Sequence, residues 1–328
     1  MLLIAYGTRP EWIKIKPIVD LLDEKKLLYT LLFTGQHTTL VHEKYDRKID
    51  IPSKFNRLDG ILTAILNNEQ VFEGIDRVMV QGDTASAFAV AITAFHRKIP
   101  VIHLEAGLRT HDNNNPYPEE LYRSCISRIA TLHFCPTDFN VQNLVKENIR
   151  DGIYVVGNTS IDAILSYKDK VEKGGGCLIT LHRRENQPIM DKWIKALNTL
   201  VENYKPMSFT FIAHPAYDIQ KHSINPNLIV IPAVPHNKMM DMIIKSDILI
   251  SDSGGIQEEA SFLSKPVIVC RKVTERPEAI GTTSFMCPEP EQLPEIFHIV
   301  NTTGVGCLHP CPFGDGHAAE KIVKALYE

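Results

Sequence analysis

This 328-residue sequence lacks long apolar runs, a strong net charge and paired cysteine motifs. It contains no run of about 18 apolar residues, so we expect no membrane-spanning helix. Its formal net charge of −4 gives no electrostatic reason to expect nucleic acid or an anionic membrane as a partner. Cys307 and Cys311 lack a second pair of suitably spaced ligands, so we expect no metal site. These absences favour an ordinary globular protein that acts on small molecules.

The seven cysteines are an odd number, and most of them stand among apolar residues. This pattern predicts reduced thiols in a protein core rather than a disulfide framework. The opening stretch "MLLIAYGTRPEW" reads directly as structural sequence without a basic leader, so we expect no signal peptide. Together these features predict a cytoplasmic protein.

Short apolar runs alternate with longer helical patterns, which predicts parallel βαβ units. The predicted strands cover 2–6, 28–35, 77–82, 100–106, 131–137 and 153–158 in a first series, and 177–181, 208–214, 227–233, 247–252 and 266–270 in a second. We therefore expect an α/β protein with two Rossmann-like, doubly wound parallel-sheet domains facing a central cleft. The domains are predicted at 1–165, completed by a C-terminal helix at 312–328, and at 166–311.

Three acidic residues stand just after predicted strands or at a helix start, and each has two possible roles. Glu105 ends the apolar strand in "VIHLEAGLRT"; it can pair with Arg109 or act as an acid or base. Asp83 in "QGDT" can cap a helix or line a cleft. Glu119 in "PYPEELYR" can favour the helix dipole and pair with Arg123, or join the other two acids in proton transfer.

The stretch "SDSGGIQEEA" indicates an anion site at a helix N-terminus. Ser253, Gly254 and Gly255 can direct backbone N–H groups at a phosphate, while Glu259 one turn later can accept hydrogen bonds from ribose hydroxyls. The alternative is a tight turn in which Ser253 is only the N-cap. A phosphate on the turn and a ribose on the glutamate together suggest a nucleotide.

Cationic groups follow the first strand of each series. Arg9 and Lys14 in "GTRPEWIK" can bind a phosphate, although both are equally compatible with solvated positions on a helix that Pro10 begins. His182 in "HRRE" can donate to a phosphate or protonate a leaving group, with Arg184 beside it.

Nine motifs occur in the order found in one enzyme family, the non-hydrolysing UDP-N-acetylglucosamine 2-epimerases, which this sequence resembles over nearly its whole length. The motifs are "GTRPEWIKIKP", "QGDT", "HLEAGLRT", "PYPEELYR", "VVGNTSIDA", "HRRE", "SDSGGIQEEA", "TERPEA" and "PFGDG". The resemblance implies a glycosyltransferase-B-like fold and reversible conversion of UDP-GlcNAc into UDP-ManNAc, without NAD or a metal. It also implies a homodimer and a place in cell-surface polysaccharide biosynthesis.

In the mechanism that the resemblance implies, UDP is eliminated in an anti sense as the proton at sugar carbon 2 is removed. A bound 2-acetamidoglucal results, and UDP adds back with protonation from the opposite face. The resemblance assigns Asp83, Glu105 and Glu119 as acid/base carboxylates and His182 as the essential histidine near UDP. The implied substrate-binding residues are Arg9, Lys14, Arg123, Arg184, Met239 (where relatives carry an aromatic residue at the uracil), Ser253, Gly254, Gly255, Glu259 and Arg276.

Four alternatives share much of this pattern. A hydrolysing 2-epimerase would release ManNAc and UDP, and a related epimerase would act on another UDP-2-acetamido sugar, such as a uronic acid form. A glycosyltransferase of the same architecture does not need three acids for proton transfer. An inactive nucleotide-sugar-binding protein would be expected to lose one of those acids, and all three are present.

Overall fold

The computed structural model of this chain describes residues 1–36, 43–51, 56–170, 174–214, 219–303 and 310–328. It divides into two units. Unit 1 comprises Met1–Ala163 and Gly314–Glu328, and unit 2 comprises Ile164–Phe313. Cys307 lies outside the described residues, so the suggested Cys307–Cys311 pair cannot be placed.

The described part of unit 1 forms a seven-stranded parallel sheet with helices on both faces. Its strands are β1 (Leu2–Tyr6), β2 (Tyr29–Phe33), β3 (Arg47–Lys48), β4 (Arg77–Gln81), β5 (Val101–Leu104), β6 (Leu132–Cys135) and β7 (Ile153–Val155), and its first helices are α1 (Arg9–Glu24), α2 (Arg57–Leu66), α3 (Ala85–His96), α4 (Glu119–Ile129), α5 (Asp138–Lys146) and α6 (Thr159–Ile164). The strand order is β3-β2-β1-β4-β5-β6-β7. The central strands β1, β4 and β5 are buried along nearly their whole length, as expected for a sheet covered on both faces.

Unit 2 repeats this design with six parallel strands in its described part. The elements are β8 (Cys177–Thr180), α7 (Met190–Asn203), β9 (Phe209–Ala213), β10 (Leu228–Pro232), α8 (His236–Lys245), β11 (Ile248–Ser251), α9 (Gly254–Phe262), β12 (Val267–Val269), β13 (Ser284–Met286) and α10 (Leu293–Thr303). The order is β10-β9-β8-β11-β12-β13. The predicted α/β fold class of Rossmann-like, doubly wound parallel sheets is therefore confirmed.

The last helix, α11 (Ala318–Tyr327), returns to unit 1 and packs against α1. Its first turn is fixed by Asp162, which accepts hydrogen bonds from the backbone N–H groups of Ala318 (3.2 Å) and Ala319 (2.8 Å). Burial raises the pKa of Asp162, and these two hydrogen bonds oppose that rise. A carboxylate at a helix N-terminus is stabilised by the helix dipole and by the N–H groups that have no partner within the helix.

Each sheet has a point where the strand order reverses: between β1 and β4 in unit 1, and between β8 and β11 in unit 2. In open α/β sheets, ligands bind outside the carboxyl ends of the strands at such a switch point. Two predicted motifs follow the strands at each of these points, "GTRPEWIK" and "QGDT" in unit 1, "HRRE" and "SDSGG" in unit 2. The fold therefore brings the residues of each pair of motifs to one edge of a sheet.

Candidate active site

Glu105 follows β5 and is the centre of a polar cluster in unit 1. Lys14 Nζ lies 2.6 and 2.7 Å from its two carboxylate oxygens. Asn158 Nδ2 donates to Oε1 at 3.0 Å, and Gln81 Nε2 donates to Oε2. The side chains of Lys14 and Glu105 are only 13% and 7% exposed, so the pair is largely shielded from water. Three donors from three different elements therefore fix the carboxylate in one orientation.

The backbone of Glu105 is held in a conformation that glycine favours, with φ at 61°. A residue with a side chain occupies this left-handed region at a cost of about 1–2 kcal/mol. Such strain persists where the surroundings enforce it, and it is concentrated at functional sites. The left-handed turn and the hydrogen bonds from Lys14, Gln81 and Asn158 act together to direct the Glu105 side chain.

Asp83 lies beside this cluster and forms an ion pair with Arg123 Nη2. Gly82, between the end of β4 and Asp83, lies close to Glu105, since a Cβ at that position would be 3.5 Å from Glu105 Oε2. The helix α3 is capped by Thr84, whose side chain accepts from the Ala87 N–H at 3.0 Å. The alternative that Asp83 is the N-cap of this helix is therefore wrong.

Glu119 and Glu120 begin α4 but have different surroundings. Glu119 is half-buried, whereas Glu120 is buried and accepts hydrogen bonds from the backbone N–H groups of Thr110 (3.0 Å) and His111 (2.8 Å). Arg123 Nη1 also donates to Glu120 at 3.2 Å. Glu120 therefore anchors the loop before α4 by hydrogen bonds.

Arg109 stabilises the loop that follows Glu105, and it does so without binding Glu105. Its guanidinium makes a two-point contact with the Glu147 carboxylate, at 2.6 and 3.0 Å, and donates to Ser127 Oγ at 3.1 Å. Together with Arg128, this guanidinium lowers the pKa of Glu147 against the opposing effect of partial burial. The proposed salt bridge between Glu105 and Arg109 is therefore wrong.

In unit 2 the motif "SDSGG" leads into α9, with Ser253 at the N-cap position. Its side chain makes no capping hydrogen bond there. The two glycines differ: a Cβ at Gly254 would overlap the guanidinium of Arg276, whereas a Cβ at Gly255 would meet nothing closer than Ser253 Oγ at 3.9 Å. The small size of Gly254 is thus required by Arg276, and Gly255 presents an open backbone.

Arg276 is buried behind this helix terminus, where it contacts two acids. Its Nε donates to Glu258 Oε1 at 2.5 Å, and its Nη1 donates to Glu275 Oε1. All three side chains are at most 5% exposed. The arrangement fixes the start of α9 from within, and a direct contact of Arg276 with a nucleotide stays a prediction.

His182 lies two residues after the end of β8. Its side chain is partly exposed at the edge of the sheet. Its Nδ1 lies 3.4 Å from Asp252 Oδ1, and its ring stacks on that of His214 with centroids 5.5 Å apart. Burial lowers the pKa of His182, and the Asp252 carboxylate opposes that effect. A histidine with a lowered pKa is neutral near pH 7 and can accept a proton or bind as a donor.

Three further residues lie on α8 and α9. Glu259 is nearly buried, and its Oε1 lies 3.2 Å from His236 Nε2. Met239, predicted to cover a uracil, is half-buried one turn after His236 on α8. The predicted ligand residues Arg9 and Arg184 are exposed.

The sequence analysis did not assign four of the residues described above: Gln81 and Asn158 in unit 1, and His236 and Asp252 in unit 2. Gln81, Asn158 and Asp252 belong to motifs quoted above, so the sequence contained a signal for them. Their hydrogen-bond partners lie far away in the sequence and could not be predicted from it.

Within the described ranges, no group of three or more His, Cys, Asp or Glu side chains could hold a metal ion. The same ranges contain no helix with the length and hydropathy needed to cross a membrane.

Two doubly wound sheets, one with a shielded carboxylate after its strand β5 and the other with a glycine-containing helix terminus at its switch point, define an α/β protein with polar groups at the carboxyl ends of its strands. Comparison with known proteins specifies the class further. The family model described as UDP-N-acetylglucosamine 2-epimerase matches residues 20–327. The chain belongs to this family of isomerases.

Individual relatives agree over nearly the whole chain. The UDP-N-acetylglucosamine 2-epimerase of Bacillus subtilis (strain 168) is 33% identical, covering 98% of this chain and 93% of the relative. The crystal structure of UDP-GlcNAc 2-epimerase from Neisseria meningitidis bound to UDP-GlcNAc matches with a TM-score of 0.86 and 32% identity, covering 99% of both chains. That of Methanocaldococcus jannaschii in complex with UDP-GlcNAc and UDP matches with a TM-score of 0.88 and 30% identity, again over 99% of both. The resemblance inferred from the motifs is therefore confirmed.

Proposed function

We propose that this chain converts UDP-GlcNAc reversibly into UDP-ManNAc by epimerisation at carbon 2. The observation that carries the proposal is Glu105, a shielded carboxylate held by Lys14, Gln81 and Asn158 on a strained backbone at the end of a strand. Two relatives with solved structures bind UDP-GlcNAc, which supports this substrate for the present chain.

In the proposed reaction a carboxylate removes the proton from carbon 2 while the bond between carbon 1 and the β-phosphate oxygen breaks. The electron pair of the C–H bond forms the double bond between carbons 1 and 2, and UDP leaves with the pair of the C–O bond. A carboxylic acid then protonates the opposite face of carbon 2 as the UDP oxygen adds back to carbon 1. Proton transfer in both directions requires at least two carboxyl groups, and Asp83, Glu105 and Glu119 are the proposed ones.

Unit 2 is proposed to bind the UDP part of the substrate. The backbone N–H groups of Gly254 and Gly255 and the side chain of Ser253, which makes no capping hydrogen bond, would bind a phosphate at the start of α9, where the helix dipole also favours an anion. The Ser253 N–H itself donates to Ser251 Oγ at 3.0 Å. His182 would bind or protonate the departing diphosphate, and Glu259 would accept from the ribose hydroxyls. Arg9, Lys14 and Arg184 are proposed to supply further positive charge.

Incubation with UDP-GlcNAc, followed by ¹H and ³¹P NMR, tests this function. We expect UDP-ManNAc to accumulate to an equilibrium without free UDP. Stoichiometric release of UDP with free ManNAc would assign the chain to the hydrolysing alternative. No turnover of UDP-GlcNAc, with turnover of a UDP-2-acetamido uronic acid, would support the related epimerase instead.

The homodimer, the cytoplasmic location and the place in polysaccharide biosynthesis that the resemblance implies are also proposals. Light scattering after size-exclusion chromatography tests the dimer, for which a mass of twice 37.0 kDa is expected. We also expect turnover to survive exhaustive dialysis against EDTA, because the proposed proton transfers use side chains alone. Loss of activity that Mg²⁺ or Zn²⁺ restores would contradict this expectation.

A further inference from the structure

Asp252 is a fully buried carboxylate that directly follows β11 and binds the loop after β8. Its oxygens accept hydrogen bonds from the backbone N–H of His182 (3.0 and 3.1 Å) and of Arg183 (2.9 Å), and from Asn186 Nδ2 (2.9 Å). The side chain is 0% exposed. A buried carboxylate is destabilising unless donors surround it, and here every one of these contacts is a donor.

The same carboxylate lies next to the imidazole of His182, since Oδ1 and Nδ1 are 3.4 Å apart. At this distance the pair is a charge contact, and the negative charge beside Nδ1 favours the tautomer that carries its proton on Nδ1 and leaves Nε2 with a lone pair. The other groups that act on this ring are Arg183 and Glu185 from its own loop and His214 from the end of β9, which stacks on it. Among the described residues, Asp252 is the acid that pairs with this ring, at 3.4 Å.

Asp252 is itself held by a buried network that extends into the core of unit 2. Asn186 donates to Asp252 and also to the Cys270 carbonyl oxygen at 2.9 Å. Its own oxygen accepts from Trp193 Nε1 at 3.1 Å, and Trp193 is completely buried on α7. The carboxylate therefore has a fixed orientation relative to the His182 ring.

We propose that Asp252 is a positioning residue, which fixes the ring of His182 and keeps its neutral form protonated on Nδ1, so that Nε2 is the nitrogen that takes up a proton when the imidazolium forms and can donate it to the diphosphate. The role of His182 towards UDP rests on the proposed function. The tautomer of His182 does not, so the two can be tested separately.

The direct test is a two-dimensional ¹H–¹⁵N spectrum of the imidazole nitrogens of the whole protein above pH 7, with His182 assigned from the His182→Gln variant. We expect the ¹⁵N shifts of His182 to show a protonated Nδ1 and an unprotonated Nε2. A protonated Nε2 would overturn the proposal, whatever the enzyme activity proves to be.

A pair of variants tests the consequence for turnover. Asp252→Asn keeps the shape of the side chain but removes its negative charge. Because Arg183 N–H and Asn186 Nδ2 donate to Oδ2, the amide oxygen occupies that position and the NH2 group faces Nδ1, so we expect kcat to fall on the order of 100-fold with KM changed less than about threefold. The limb of the pH profile that belongs to His182 should move to lower pH, because the neighbouring negative charge is lost.

Asp247→Asn is the matched control at the opposite end of β11. Asp247 also accepts hydrogen bonds from backbone N–H groups, those of Gly174 (2.7 Å) and Gly176 (3.0 Å). We expect this variant to lose thermal stability but to keep kcat and the pH profile. Equal loss of kcat in both variants, or normal kcat and an unmoved pH profile in Asp252→Asn, would contradict the proposal. If Asp252→Asn does not fold, the NMR experiment on the unmodified protein decides.

Discussion

Each unit contains a buried arginine that contacts two acids beside its candidate site. The two arrangements differ in how exposed those acids are. In unit 1, Arg123 contacts Asp83 and Glu120. In unit 2, Arg276 contacts Glu258 and Glu275. The arginines are equally shielded, with side-chain exposures of 4% and 5%.

The difference lies in the acids. Asp83 is 23% exposed, whereas Glu258 and Glu275 are 0% and 2% exposed. In unit 1 the arginine therefore orients an acid that a ligand can reach. In unit 2 it stabilises the helix terminus from within, and the groups left for a ligand are backbone N–H groups. These exposures support the proposal that unit 1 transfers protons and unit 2 binds an anion.

The largest expected effect separates these two roles. Glu105→Gln removes the proposed acid or base but keeps the acceptor oxygen, so we expect turnover to fall about 10³-fold or more. UDP binding, measured by calorimetry, should stay within about threefold, because the proposed phosphate turn, His182 and Glu259 are all in unit 2 and the substitution leaves Arg9 and Lys14 in place. Near-normal turnover in a folded variant would refute a catalytic role for Glu105.

Replacement of each arginine by methionine compares the two buried clusters. Either change removes a buried cation that pairs with a buried carboxylate, Glu120 or Glu258, so we expect a loss of about 3–5 kcal/mol in the free energy of unfolding. Arg276→Met should retain kcat at a temperature where it is folded, whereas Arg123→Met should also lose kcat because Asp83 is no longer oriented. Denaturation curves and turnover at low temperature measure the two effects. If Arg276→Met lost kcat to the same extent as Arg123→Met, the distinction between the units would be wrong.

The lowered pKa values of two buried histidines predict that unit 1 loses stability in acid. Burial lowers the pKa of His103 to about 3 and that of His133 to about 4, from 6.5 in an unfolded chain. Between pH 6.5 and 4 the unfolded state therefore binds more protons, and the free energy of unfolding should fall by up to about 1.4 kcal/mol per pH unit for each histidine. Urea unfolding at several pH values measures the slope.

His133→Gln should reduce this slope, and His96→Gln, at an exposed position of the same unit, should leave it unchanged. A slope that His133→Gln does not alter would show that other groups cause the acid sensitivity.

The smallest expected effect concerns the glycines of α9. Gly255→Ala has room for its Cβ, so we expect equal or slightly higher stability and a KM about tenfold higher, with kcat little changed, because the methyl group would hinder a phosphate. Gly254→Ala should instead destabilise the protein, because its Cβ would displace Arg276. Thermal melts and initial rates separate the two results. An unchanged KM in Gly255→Ala would argue against a phosphate at this terminus.

The sequence predicted the sheets and the position of each motif, because buried strands and helix starts have local signals. It did not predict the β13 strand of three residues, nor helix α2. Short elements of this kind are determined by tertiary pairing rather than by periodicity.

The pairing of charges was predicted less well than their location. The sequence did not predict that Arg123 contacts Asp83, 40 residues earlier in the chain, and the local pair of Glu119 with Arg123 stays a prediction. The contact of Lys14 with Glu105, 91 residues away, was not predicted either, and the place of Lys14 at a phosphate stays a prediction. Contacts over such separations depend on strand order, which the pattern of one sequence leaves open.

Solvent isotope exchange at carbon 2 tests the proposed chemistry most directly. UDP-GlcNAc is incubated in D₂O with the unmodified protein and with Glu105→Gln, and the sugar signals are followed by ¹H NMR. We expect the unmodified protein to give UDP-ManNAc with deuterium at carbon 2, and Glu105→Gln to give neither product nor exchange while still binding UDP. Product that retains hydrogen at carbon 2 would contradict proton transfer to a side chain of this site.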